Sequence, residues 1–250
     1  MTGTTVVVHR DPEALAGRVA ARLATALVDA QAHHGTASLV LTGGSIGIAS
    51  LAALRQTPAR KAVDWRKVDI WWGDERFVPA DSEDRNDRQA RQALLDDLDL
   101  DPARVHPMGH AGGVDGDDVD AAAARFAAEL TASGSVPAFD VLLLGMGPEG
   151  HTASIFPESP AAHDERPAFG VHGCPKPPPT RISMGFTTLC AAREVWMVVA
   201  GEDKARAVAL ALSGAGRVQV PAAGAVGRQQ TLWLLDEAAA SQLPKALRRL

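Results

Sequence analysis

At 250 residues with 46% hydrophobic side chains, the chain can bury a sizeable core and reads as a single domain over 1–250. A net charge of −5 excludes a broad basic face for nucleic acid but leaves room for a local cationic pocket. Met1–Arg10 lacks the apolar core of a signal peptide, no apolar run nears the roughly 18 residues of a membrane span, and Cys174 and Cys190 are the only cysteines. A cytoplasmic protein with free thiols and no membrane partner is expected.

Taken in order, Thr4–Val8 is a β-branched run and the first expected strand. Asp11-Pro12 reads as helix cap plus first-turn proline. Leu15, Val19, Leu23 and Leu27 recur every four residues, so a long amphipathic helix runs to about His34 and stops at Gly35. Ala37–Thr42 is a second strand, Gly43-Gly44-Ser45 a tight loop and Ile46–Arg55 a short helix. Val68–Trp72 is a third strand closing on Gly73-Asp74-Glu75-Arg76, followed by a helix over Asn86–Leu98 with Leu94, Leu95 and Leu98 inward. Arg104–Gly109 is a candidate short strand, Gly112–Asp118 a loop and Val119–Thr131 an alanine-rich helix.

Val141–Leu144 is a strand apolar on both faces. It runs into Gly145-Met-Gly-Pro-Glu-Gly150, which delivers His151, where a short helix could begin. Pro157–Pro179 is proline-rich and expected to be irregular. Arg181–Met184 is a candidate strand, Thr188–Ala192 a turn or short helix, Glu194–Ala200 a buried strand and Asp203–Leu212 a helix. Thr231–Leu235 is the last strand, and Asp236 is placed to cap a terminal helix. Strands alternating with helices specify an α/β class: a doubly wound, mainly parallel, Rossmann-like sheet flanked by helices. Ligand sites of such sheets lie at the carboxyl ends of the strands. Four glycine-rich or charged stretches fall there, after Thr42, Trp72, Leu144 and Ala200.

Three motifs compete for meaning. Residues 145–150 fit G-x-G-x-x-G, but a dinucleotide fold needs a following strand with an acid near its end, and the proline-rich stretch comes instead. Gly43-Gly-Ser-Ile-Gly47 fits a nucleophile elbow on Ser45, a plain tight turn, or an anion cradle of N–H groups and a hydroxyl at a helix start. Only about two strands precede it, which favours the cradle over the elbow. His151 beside loop N–H groups suits proton transfer next to an anion. Lys204, in a helix's first turn, opposes the helix dipole unless an anion binds there; Arg181 is a surface or anion residue. Asp74, Glu75 and Arg76 read either as a solvated loop or as site residues, and Asn86 as a cap. No C-x-x-C or H-E-x-x-H is present, so no metal site is expected.

These motifs, in order and spacing, resemble the 6-phosphogluconolactonase family over nearly the whole chain. The resemblance rests on Thr42-Gly43-Gly44-Ser45, on Trp72–Pro79 with Ser82 and Asn86, on Gly145–Pro157, on Pro178–Ile182 and on Gly201–Ala205. Glu149 stands where Asp is usual, and Ile46-Gly47 where Thr-Pro is usual. The related glucosamine-6-phosphate deaminases read Gly-His-Ile-Ala-Phe-Asn-Glu-Pro, whereas this chain reads Gly-His-Thr-Ala-Ser-Ile-Phe-Pro. The resemblance implies a sugar-phosphate isomerase/deaminase-like fold and hydrolysis of 6-phosphoglucono-1,5-lactone to 6-phosphogluconate in the oxidative pentose phosphate pathway, with no cofactor. It implies His151 as general base and later acid, with Asp74 orienting a catalytic group or binding sugar hydroxyls. Gly43, Gly44, Ser45, Arg76, Arg181 and Lys204 are expected to bind the phosphate and other substrate charge, and the N–H groups of Gly147–Gly150, Gly150 included, to form part of an oxyanion site. A monomer or weak homo-oligomer acting on a small sugar-phosphate lactone is the overall expectation.

Overall fold

The computed structural model describes residues 3–247. Seven parallel strands form the central sheet: β1 (Gly3–His9), β2 (Ala37–Leu41), β3 (Val68–Trp72), β5 (Val105–His106), β6 (Val141–Leu144), β9 (Glu194–Val199) and β10 (Gln230–Asp236). Their spatial order is β1-β10-β9-β6-β2-β3-β5. From β2 the chain winds outward through β3 to β5, then returns to β6 and winds the other way through β9 to β10. The winding therefore reverses between β2 and β6, which opens a crevice at their carboxyl ends.

Alternation along each strand divides the core. On one face Leu39, Leu41, Ile70, Trp72, Val141, Leu143, Trp196 and Val198 pack against α1 (Pro12–His34), α2 (Ser45–Gln56) and α3 (Asn86–Ala93). On the other, Val40, Trp71, Leu142, Leu144, Val195, Met197 and Val199 meet α4 (Val119–Leu130) and α6 (Ala205–Leu212). Helix α1 buries Leu15, Val19, Leu23 and Leu27 completely or nearly so, and each such leucine contributes about 1.5–3 kcal/mol. Asp11 caps α1 by accepting from Ala14 N at 2.8 Å, and Gly35, at φ 82°, ends it.

A second, three-stranded antiparallel sheet has the order β4-β8-β7, from β4 (Asp74–Arg76), β8 (Arg181–Met184) and β7 (Ala168–Val171). This sheet corrects two expectations. Residues 74–76 are not a solvated loop, and the proline-rich stretch contains a strand, because Ala168 and Phe169 are buried against β8. Other boundaries also shift. Helix α3 ends at Ala93 and leads into a 3₁₀ turn at Leu95–Asp97, with Leu94 and Leu95 buried and Leu98 only partly so. The strand expected over Arg104–Gly109 is two residues long, and the turn or short helix expected over Thr188–Ala192 is a short helix, α5 (Phe186–Leu189), that begins two residues earlier. Helix α6 begins at Ala205 after a 3₁₀ turn, and Asp236 closes a turn through Ala239 N rather than a terminal helix. Among the described residues no helix is long and apolar enough to cross a membrane.

Candidate active site

The loops after β2, β3, β6 and β9 converge on one cleft of about 320 Å³ at the switch point. Gly43, Gly44, Ser45, Asp74, Arg76, His151, Arg181 and Lys204 all line it. Gly150 does not: its missing Cβ would meet Val220 at 2.8 Å, so its place is in the turn beneath the cleft. A larger groove of about 620 Å³ runs along α1 and shares no lining residue with this one; it lacks both glycine loops.

The β6 loop is built around His151. Gly147 N donates to the His151 carbonyl at 3.1 Å, and Gly150 N to the Gly147 carbonyl at 2.9 Å. The ring lies so close over Gly147 that a Cβ there would stand 2.1 Å from Nδ1. No helix starts at His151; Thr152 and Ile155 instead close a short turn, and Thr152 Oγ1 donates to the Gly145 carbonyl. Phe156 stacks on the imidazole at 4.3 Å, leaving the side chain 17% exposed. Burial lowers the imidazole pKa; Glu149 opposes that and Lys176 adds to it. His151 is therefore held toward its neutral, proton-accepting form.

The β3 end supplies Asp74 on β4. Its Oδ2 accepts from Ser154 Oγ at 2.6 Å, and Arg181 Nη1 stands 3.8 Å from the same oxygen. Arg181 reaches this point through the antiparallel pairing of β4 with β8, in which Asp74 is opposite Ser183. Its other donors are fixed on the main chain: Nε donates to the Pro178 carbonyl at 3.1 Å, and Nη2 to those of Lys176 and Pro177 at 3.0 and 3.3 Å. Arg76 donates to the Asp84 carbonyl at 2.6 Å.

Glu75 faces away from the cleft and is fully buried. It accepts from Arg76 N, Asn86 N and Asp87 N at 2.7–2.9 Å, with Arg85 Nη2 at 3.5 Å. Burial pushes its carboxyl pKa up against the pull of Arg85 and those N–H groups. Glu75, not Asn86, thus caps α3. Asn86 turns into the cleft, donates to the Asp74 carbonyl at 2.8 Å, and leaves Oδ1 without a partner among the described residues. That oxygen would lie 1.9 Å from a Cβ at Gly43, so the first loop must be glycine for the two walls to meet.

The opposite wall is cationic. Helix α2 begins at Ser45 with no acid in its first turn and no side-chain cap among the described residues, so its first N–H groups open on the cleft. Lys204 sits nearby, its Nζ on Asp203 at 2.9 and 3.0 Å. Lys176, which the motif reading passed over, also lines the cleft, and its Nζ donates to Glu149 Oε2 at 3.0 Å. A lysine set among prolines, five residues before Arg181, was the available signal. Among the described residues no group of three or more His, Cys, Asp or Glu is placed to hold a metal. The arrangement sets a neutral-leaning imidazole, carboxylate neighbours and a cationic wall in one small space.

Comparison with known proteins identifies the family. Residues 10–233 match the family described as glucosamine-6-phosphate isomerases/6-phosphogluconolactonase. The chain is 60% identical to the 6-phosphogluconolactonase of Streptomyces coelicolor, over 97% of this chain and 95% of that protein. It is 47% identical to the 6-phosphogluconolactonase of Mycobacterium tuberculosis, over 96% and 99%. Among solved structures, the 6-phosphogluconolactonase of Trypanosoma brucei superposes with a TM-score of 0.83 at 28% identity, covering 98% of this chain and all of that one. The chain therefore belongs to the glucosamine-6-phosphate isomerase/6-phosphogluconolactonase family.

Proposed function

We propose that this chain hydrolyses the ring ester of 6-phosphoglucono-1,5-lactone to 6-phosphogluconate, the lactonase step of the oxidative pentose phosphate pathway. The observation that carries the reading is a half-buried, neutral-leaning His151 sharing one cleft with an uncapped helix start and four cationic side chains. The relatives named above, matched along nearly their whole length, support the same activity.

His151 takes a proton from water, and the resulting hydroxide adds to the lactone carbonyl. The tetrahedral oxyanion is stabilised by the cationic side chains of the cleft, because the N–H groups of Gly147 and Gly150 are already spent on carbonyls of their own loop. It collapses with cleavage of the bond to the ring oxygen, which receives the proton from the imidazolium; the new carboxylic acid then ionises. Such acid–base work supplies about 10²–10⁴-fold. The first-turn N–H groups of α2, with Arg76 and Lys204, hold the 6-phosphate. Asp74 and the unpartnered Asn86 Oδ1 accept from sugar hydroxyls. No step needs a metal or organic cofactor.

The test is lactone hydrolysis with substrate generated in situ by oxidation of glucose 6-phosphate, with the spontaneous opening subtracted. His151→Ala is expected to lose about 10²–10⁴-fold in kcat while still binding 6-phosphogluconate. Near-native turnover in that variant would remove His151 from the base role. Wild-type protein that binds 6-phosphogluconate yet gives no acceleration would make the chain a sugar-phosphate sensor instead.

A further inference from the structure

Lys176 lies on the segment between β7 and β8, and 42% of its side chain is exposed. It bonds one oxygen of Glu149, while the other, Oε1, stands 3.2 Å from His151 Nδ1. The second contact is an ion-pair distance without hydrogen-bond alignment, so the buried Nδ1 has no aligned partner among the described residues. One carboxylate is thus shared between two nitrogens, and the aligned bond goes to the lysine.

We propose that Lys176 is a positioning residue that couples occupation of the cleft to the readiness of His151. In the empty cleft Lys176 holds Glu149 off the imidazole. The 6-phosphate, the one anionic group of the lactone, enters the cleft that Lys176 lines and draws the ammonium away, and the freed carboxylate aligns with Nδ1. This rests on His151 being the base. Three features make the exchange reasonable. Lysine is a flexible point charge that follows the strongest nearby anion. A buried ring nitrogen without a partner is costly, so Nδ1–H takes Glu149 once the competitor leaves. Alignment fixes the proton on Nδ1 and leaves the lone pair of Nε2 for water.

The charged groups acting most on His151 are Glu149, Lys176 and Asp74, with Arg181 behind Asp74 and Arg76 and Lys204 lining the same cleft; Phe156 covers one ring face without charge. Lys176 opposes the imidazolium, so removing its charge makes the imidazole easier to protonate in the free enzyme. The acid limb of kcat/KM, which reports the free enzyme, then moves to higher pH. The limb of kcat, which reports the substrate complex, stays in place, because there the lysine has already left Glu149.

The experiment compares full-length wild type, Lys176→Gln, Lys176→Arg and His151→Ala across the pH range of lactone hydrolysis. Expected for Lys176→Gln is an upward displacement of the kcat/KM limb, an unmoved kcat limb, and a several-fold loss of kcat/KM on the acid side. Lys176→Arg restores the wild-type limb by restoring the charge. A kcat/KM limb coincident with wild type in Lys176→Gln overturns the coupling and leaves Lys176 as a binding or loop residue. Equal movement of both limbs overturns the substrate-driven exchange. If His151→Ala retains turnover, it is the base assignment that has failed, and that variant reads it separately.

Discussion

An alanine at position 147 would put a Cβ 2.1 Å from His151 Nδ1 and 2.5 Å from Glu149 Oε2. The loop backbone is tied on both sides of His151, so the imidazole must yield rather than the chain. A displacement of about 1 Å costs on the order of 10²-fold in turnover. Gly147→Ala is therefore expected to lower kcat by about that factor while retaining affinity for 6-phosphogluconate, as steady-state kinetics and calorimetry would read. His151 was legible in the sequence because glycines surround it. Lys176 was not, because its bond goes to a carboxylate twenty-seven positions away and leaves no local pattern. Gly150 was read as a ligand contact on the same local grounds, yet it serves the turn.

At the scale of elements, β4 and α3 are joined by one carboxylate. Glu75 satisfies N–H groups at the start of α3 and stands beside the buried Arg85, which also donates to the Met108 and Gly109 carbonyls. Removing it leaves a buried cation and uncapped donors. Glu75→Ala is expected to cost about 3–5 kcal/mol in urea unfolding. Activity should fall with it, since Asn86 leads from this cap into the cleft. The long elements were read well from the sequence: α1, with its leucine spacing and both caps, and the parallel strands β2, β3, β6, β9 and β10. Of the small sheet only β8 was read, at its observed bounds Arg181–Met184; β4 and β7 were not, because they are three and four residues long and acquire their strand character only by pairing with β8. The family resemblance placed Asp74 and Arg181 in one site, but the pairing that brings them together was outside its reach.

Across the whole molecule, the reversal of winding between β2 and β6 explains why motifs scattered from residue 43 to residue 204 share one cleft. The sequence indicated the class of sheet and the ends of the strands where loops matter; strand order depends on pairings too distant for periodicity to report. The far edge of the sheet carries a pH-sensitive contact. His106 stacks on Trp71 at 3.8 Å, between Glu129 Oε1 on α4 at 2.6 Å and Asp69 Oδ1 on β3 at 3.6 Å. Burial works against its charge, but Asp69 and Glu129 outweigh burial and raise the pKa above 6.5. A histidine raised on folding gives its full stabilisation below the unfolded value and loses it as pH rises through the folded one. The stability difference between wild type and His106→Gln is expected to be widest on the acid side of 6.5 and to shrink above neutrality, as thermal melts at a series of pH values would show.

Arg181 holds the segment over the cleft through the main-chain carbonyls of residues 176–178. A carbonyl is present whatever the side chain, so this anchor reads the path of the wall and is indifferent to its spelling. For redesign of substrate range, the flanking side chains of that wall are open to exchange without losing their frame, whereas the single guanidinium beneath them has no substitute that would keep it.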